Sequence, residues 1–261
     1  MAEELRVSMI QAHIIWEDRE ENLCYYGELL RRVSGRADLA VLPETFTTGF
    51  SMKNVAKLAE PMDGQTISTV KGWAKKYGMA IMGSFLCEEE GRYYNRAFFV
   101  TPEGEVSTYD KHHLFRMGGE NDYFTPGNRQ TIVDYKGWKI CMQVCYDLRF
   151  PVWTRNVDNK YDLLIYIANW PEVRKKAWKL LLKARAIENL AYVCGVNRVG
   201  VDGHNIPYRG DSLIFSAKGE KMADAGRRDD TTRTCTLSRI KLDEFRKKFP
   251  AWSDADAFQL L

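Results

Sequence analysis

The sequence predicts an α/β protein of layered architecture, and three observations carry that prediction. Short apolar runs of strand length recur along the chain, segments of helical period alternate with them, and a hairpin signature lies before the midpoint. The first clear element is a helix over residues 18–33, where Asp18 can cap and Leu23, Tyr26, Leu30 and Val33 share one stripe. An apolar run over 36–42 follows and stops at Pro43. A helix over 65–77 leads into a run over 79–86. Residues 93–100 and 105–109, joined through Thr101-Pro102-Glu103-Gly104, read as antiparallel strands. Further runs cover 138–145, 162–168 and 191–196. Their apolarity is continuous rather than alternating, as expected of strands covered on both faces. A helix is predicted over 174–190, with Ala177, Leu181, Ala184 and Ile187 as its apolar face and Lys175, Lys179 and Lys183 on the solvated side. No linker, repeat or low-complexity tract divides the chain, so residues 1–261 read as one domain.

Composition excludes several classes of function. The 261 residues carry 38 Lys+Arg against 35 Asp+Glu, a net charge of +3 that is too small and too evenly spread to argue for nucleic acid. With 45% apolar and 28% charged residues the chain can bury a full core and does not have the composition of a disordered protein. No apolar run approaches the roughly 20 residues that cross a bilayer, so no membrane partner is expected. The acidic start Met1-Ala2-Glu3-Glu4 lacks an export signal. The six cysteines have neither the density of a disulfide framework nor a CxxC pair. A reducing cytoplasm and a metal-free site are the simplest expectations.

The strand ends carry the chemistry. Three runs close in polar or reactive residues, Leu42-Pro43-Glu44, Val144-Cys145-Tyr146-Asp147 and Ala168-Asn169-Trp170-Pro171, and ligands of α/β sheets lie beyond the carboxyl ends of strands. If these strands are neighbours, Glu44, Cys145 and Asn169 meet in one crevice. Lys111 sits just past another strand. A thiol with a pKa of about 8.5 is mostly protonated at neutral pH, so a carboxylate that takes its proton and an ammonium that stabilises the product anion complete an acyl-transfer set. Each residue alone also has a plainer reading. Cys145 can be an inert buried thiol, Glu44 a helix-start carboxylate, Lys111 a solvated cation, and His112 and His113 packed or surface residues. Cys24, Cys87, Cys141, Cys194 and Cys235 read as small hydrophobes.

Taken together, Leu42-Pro43-Glu44, Asp110-Lys111-His112-His113-Leu114-Phe115 and Val144-Cys145-Tyr146-Asp147-Leu148-Arg149-Phe150-Pro151 resemble, in order, the three catalytic motifs of the nitrilase superfamily of carbon–nitrogen hydrolases. The resemblance spans nearly the whole chain. Within the superfamily the chain is similar to the omega-amidase (2-oxoglutaramate amidase) branch of bacterial type, through residues 44–52, Ala168-Asn169-Trp170-Pro171, residues 184–189 and 196–200, and Phe249-Pro250-Ala251-Trp252. It implies an αββα sandwich, no metal or organic cofactor, and a homodimer or higher homo-oligomer joined through the helix after the nucleophile and the helix containing Arg185. It also implies Cys145 as nucleophile, Glu44 as general base, Lys111 with the backbone N–H of Tyr146 as oxyanion donors, and Glu120 as a second glutamate near the thiol, with Asp122 close by in sequence.

The implied substrate is the terminal amide of a short dicarboxylic monoamide such as 2-oxoglutaramate, whose far carboxylate calls for a cationic clamp. Arg174 is the first choice, with Arg116 and Arg149 behind it, and Phe46, Phe115 and Trp170 are expected as pocket walls. The rival readings are another small-amide or N-carbamoyl hydrolase, a noncatalytic binding module, and a metal site built on Cys141, Cys145 and His112.

Overall fold

The computed structural model describes residues 2–256 and Phe258. Its strands in chain order are β1 (Glu4–Gln11), β2 (Leu39–Val41), β3 (Ala80–Glu89), β4 (Arg92–Val100), β5 (Val106–Asp110), β6 (Ile132–Tyr135) and β7 (Trp138–Val144), followed by β8 (Leu163–Ala168), β9 (Tyr192–Asn197), β10 (Val199–Val201), β11 (Pro207–Arg209), β12 (Leu213–Phe215), β13 (Lys221–Asp224) and β14 (Thr231–Ser238). The helices are α1 (Arg19–Val33), the single turn α2 (Val55–Leu58), α3 (Gln65–Tyr77), α4 (Lys175–Asn189) and α5 (Arg239–Lys248). Among the described residues two six-stranded sheets form, ordered β14-β1-β2-β3-β4-β5 and β13-β12-β9-β8-β7-β6, with β10 and β11 as a small separate pair. β1, β2 and β3 run parallel, as do β7, β8 and β9, while the outer strands are antiparallel.

Side-chain alternation explains the layering. In β8, Leu163, Ile165 and Ile167 point into the core between the sheets, where they meet Val7, Met9, Val41 and Met82 from the first sheet. Their neighbours Leu164, Tyr166 and Ala168 face the other way and are covered by Trp178, Leu182 and Ala186 of α4. On the far side, Ile10, Ala40, Leu42, Ile81 and Phe98 leave the first sheet outward and are covered by α1 and α3 through Leu23, Tyr26, Leu30, Ile67 and Val70. The order is therefore helix, sheet, sheet, helix: an αββα sandwich, with inner strands buried on both faces and hence apolar throughout.

The helices follow local rules. Asp18 accepts the Glu21 N–H at 3.0 Å to cap α1, a contact typically worth about 1 kcal/mol. α3 ends at Gly78, whose φ of +61° is the left-handed C-cap that glycine adopts without strain. In α4 the expected apolar face is rotated by one position. Trp178, Leu182, Arg185, Ala186 and Asn189 are buried, whereas Ile187 is 48% exposed. The aromatic bulk of Trp178, donating to the Asp211 carbonyl at 2.9 Å, sets that rotation.

Candidate active site

Glu44, Lys111, Glu120 and Cys145 meet between the two sheets, at the carboxyl ends of β2, β5 and β7. The strands that end in Glu44 and Cys145 are not neighbours in one sheet. Glu44 follows β2 of the first sheet, whereas Cys145 and Asn169 follow β7 and β8 of the second. The crevice is closed face to face by the sandwich rather than edge to edge within a sheet.

The backbone at both ends is unusual. Thr45, directly after Glu44, and Cys145 itself each have φ near +45°, a left-handed conformation that costs a non-glycine residue roughly 1–2 kcal/mol. Each turn is held by its surroundings. Ser84 accepts the Phe46 N–H at its carbonyl, 3.1 Å, and the Thr45 N–H at its hydroxyl, 2.8 Å. Cys145 opens a short 3₁₀ helix, Cys145–Arg149, so the N–H of Tyr146 lies in its first turn, where amides have no helical partner.

Glu44 is fully buried and its carboxylate is surrounded by donors: Lys111 Nζ at 3.0 Å and Asn95 Nδ2 at 2.7 Å on Oε1, and the Asn169 N–H at 2.7 Å on Oε2. Asn169 also donates its side-chain amide to the Glu44 carbonyl at 2.7 Å and to the Thr45 hydroxyl at 3.0 Å. Its own carbonyl lies 3.9 Å from Cys145 Sγ. One residue thus touches both the carboxylate segment and the thiol. Lys111 Nζ reaches Glu120 at 2.9 Å, and Glu120 in turn accepts the Phe115 N–H at 2.5 Å. Asp122, the neighbouring acid, is exposed, so the second carboxylate of the cluster is Glu120.

The charges are set by burial and by one another. Burial works against the Lys111 ammonium, but Glu120 and Glu44 outweigh it and hold its pKa above the usual lysine value. Burial and the Glu44 charge push the Glu120 pKa up against the pull of Lys111. The Cys145 thiol is driven well above its ordinary pKa by burial first and by Glu44 next, with Lys111 acting the other way.

Asp147 ties two motifs together. It is fully buried and accepts from Tyr109 Oη at 2.8 Å, the His113 N–H at 2.9 Å and the Val144 N–H at 3.1 Å, with His113 Nδ1 at 2.8 Å. The lysine segment and the thiol turn are thereby locked to one carboxylate. His112 stacks on Trp153 and His113 on Phe150, with ring centroids 3.6 Å and 3.7 Å apart, so both are packing residues. Lys111 is further fixed by accepting the Gly127 N–H at 3.0 Å. A Cβ at Gly127 would lie 2.1 Å from the Asp110 carbonyl oxygen, an approach that only glycine allows.

The expected walls divide. Phe115 is half-buried, with its ring 5.0 Å from that of Tyr146 and with the Arg174 guanidinium 5.1 Å from its centroid. Trp170 is buried against Trp178 at 5.5 Å, carries Arg149 at 5.0 Å over its ring, and donates Nε1 to the Arg174 carbonyl at 2.9 Å. Phe46 is not a wall. It lies in the outer core, packed on Tyr26 at 5.2 Å and Phe98 at 6.1 Å, on the helix side of the first sheet with Ala40 and Leu42. Arg116 is exposed. The sequence alone does not single out Phe50 or Asn95. The Phe50 ring lies 5.2 Å from Lys111 Nζ. A lone asparagine inside an apolar strand was the one signal for Asn95. Among the described residues no cluster of three or more metal-ligating side chains occurs, so the Cys141–Cys145–His112 reading has no geometric support.

A four-layer sandwich with a thiol, two carboxylates and an ammonium gathered between its sheets defines a thiol-centred α/β amidohydrolase. The chain belongs to the carbon–nitrogen hydrolase family, which residues 6–247 match. It is 45% identical over 98% of both chains to the omega-amidase YafV of Escherichia coli, and 33% identical to the 2-oxoglutaramate amidase of Bacillus subtilis, covering 95% of this chain and 96% of that one. A CN-hydrolase superfamily protein from Xanthomonas campestris with an arsenic adduct in its active site superposes with a TM-score of 0.97. It is 44% identical and covers 100% of both chains.

Proposed function

We propose that this protein is an omega-amidase that hydrolyses the terminal amide of short dicarboxylic monoamides, 2-oxoglutaramate first among them, to the acid and ammonia. The reading rests above all on the contact of Lys111 with both Glu44 and Glu120 beside the Cys145 thiol, in a chain 45% identical to an omega-amidase.

In this scheme Glu44 takes the Cys145 proton as sulfur attacks the amide carbon. Lys111 and the Tyr146 N–H hold the tetrahedral oxyanion. Glu44 returns the proton to the departing nitrogen, ammonia leaves, and a thioester remains. Water activated by Glu44 then releases the acid. Glu120 keeps Lys111 aimed and charged. Phe115 and Trp170 wall the mouth, and Arg174, held over Phe115, pairs with the far carboxylate. Arg149 on Trp170 is the alternative clamp.

Ammonia release should be strong from 2-oxoglutaramate and weak from glutamine and asparagine. A charge-assisted contact is worth about 1.5–3 kcal/mol, so Arg174→Ala should lower kcat/KM on 2-oxoglutaramate roughly ten- to a hundredfold and spare a neutral amide of similar length. Equal loss on both substrates would reject the clamp. Release from a neutral amide or a carbamoyl compound in preference to 2-oxoglutaramate would move the protein to another branch of the family.

The homodimer is part of the same reading. It is supported by the exposed apolar residues Val173, Leu180 and Ile187, spaced seven apart along and just before α4, with Val152 exposed after the thiol turn. A monomer's mass in sedimentation at micromolar concentration would rule it out. The free state of Cys24, Cys87, Cys141, Cys145, Cys194 and Cys235 supports a reducing, cytoplasmic setting.

A further inference from the structure

Two side-chain oxygens beside Glu44 receive no donor from the protein. Asn95 Oδ1 and Asn169 Oδ1 are buried without a hydrogen-bond partner, in residues only 1% and 6% exposed. The orientation of both amides is fixed, because a carboxylate only accepts: Asn95 Nδ2 donates to Glu44 at 2.7 Å, and Asn169 Nδ2 donates to the Glu44 carbonyl at 2.7 Å and to its carboxylate at 3.4 Å. Each orphan oxygen therefore belongs to an amide whose nitrogen is bonded to Glu44. They come from different sheets, Asn95 from β4 and Asn169 from the end of β8. A buried acceptor left unpaired costs about 1–3 kcal/mol, so each of the two oxygens calls for a donor.

We propose that Asn95 Oδ1, Asn169 Oδ1 and the Glu44 carboxylate form an N–H and O–H acceptor subsite that takes the departing ammonia and then the hydrolytic water. The proposal rests on the amidase reading above. In the first half-reaction the thiol proton passes to Glu44 as the S–C bond forms. It then passes to the amide nitrogen as the C–N bond breaks, and NH3 leaves with three N–H groups facing three acceptors. In the second half, water gives one proton to Glu44 and directs the other at an asparagine oxygen. Its oxygen bonds to the carbonyl carbon, the C–S bond breaks, and the thiolate recovers the proton from Glu44. The subsite selects primary amides, because methanol leaving from an ester brings a single O–H.

The test compares kcat/KM, which reports the acylation half, for succinamate and for monomethyl succinate. Asn95→Ala and Asn169→Ala should each lower the amide-to-ester ratio about tenfold or more, the effect of one lost hydrogen bond at a buried site. A residue that only positions Glu44 would slow both substrates alike, so loss within about twofold on the two overturns the subsite. Asn95→Asp keeps an acceptor oxygen but not the donor, and should be slower on both substrates with the ratio preserved; a collapsed ratio there counts against the proposal. Asn95→Ala decides the matter if Asn169→Ala fails to fold. Wild-type protein that releases no ammonia from any monoamide overturns the amidase reading and the subsite with it, whereas normal amide turnover with an unmoved ratio overturns the subsite alone.

Discussion

Cys145→Ala should release no ammonia from 2-oxoglutaramate above the uncatalysed rate. The sulfur is the one atom in the crevice placed to form a covalent bond with the substrate carbon, and loss of a comparable nucleophile elsewhere lowers kcat by roughly 10⁶-fold. The fold should tolerate the change, because alanine removes a single sulfur whose polar contacts, the Glu44 carboxylate and a long 3.9 Å approach to the Asn169 carbonyl, hold no strand or helix in place. Matching circular dichroism with abolished turnover is the expected pair of results. Retained specific activity in the purified variant would sink the thioester scheme. Burial and Glu44 both raise the thiol pKa, so the proton rests on sulfur in the free enzyme and a base must remove it during attack. That is the work assigned to Glu44.

Lys111→Met should lower kcat by roughly 10²–10³-fold, the 2.7–4 kcal/mol that one oxyanion donor typically supplies, with a smaller change in KM. Methionine keeps the length and the apolar stem but not the charge. A second effect acts in the same direction. Lys111 stands between Glu44 and Glu120 at 3.0 Å and 2.9 Å, and without it two buried carboxylates confront each other. One of them would then hold a proton at neutral pH, and if Glu44 holds it the base is lost. The variant's rate should therefore rise with pH above neutrality more steeply than that of the wild type. A kcat within about threefold of wild type would remove Lys111 from the oxyanion site.

Much of the molecule was legible in the sequence where a local rule decides the outcome. Asp18 caps its helix and the stripe Leu23–Tyr26–Leu30–Val33 is buried because periodicity and end signal agree there, and Gln65–Tyr77 forms the expected helix. The runs before Glu44, Cys145 and Asn169 were read as strands for the right reason, two covered faces. The strand ends were legible too, but not their assignment to two sheets, since pairing is a long-range property with no local signature. Phe46 lies away from the expected wall because the resemblance marks its segment but not the face its ring takes, and the ring joins Ala40 and Leu42 beneath the helices. The face of α4 slipped by one position because Trp178 outweighs the smaller Ala177 and Leu181. Asn95 stayed hidden because a single amide in an apolar strand acquires meaning only when a second strand brings Asn169 to the same carboxylate.

That Glu44 and Cys145 ride on opposite sheets has a consequence for how the protein fails. The distance from Glu44 to Cys145 is held by the interleaved layer of Val41, Met82, Met142, Ile165 and their neighbours and by the hydrogen bonds of Asn169 to Glu44, not by any backbone ladder. Slight swelling of that layer would part the reacting groups while every strand keeps its partners. Turnover is thus a finer gauge of how tightly the halves are pressed together than any spectroscopic measure of secondary structure, and mild denaturant should silence the enzyme well before it unravels.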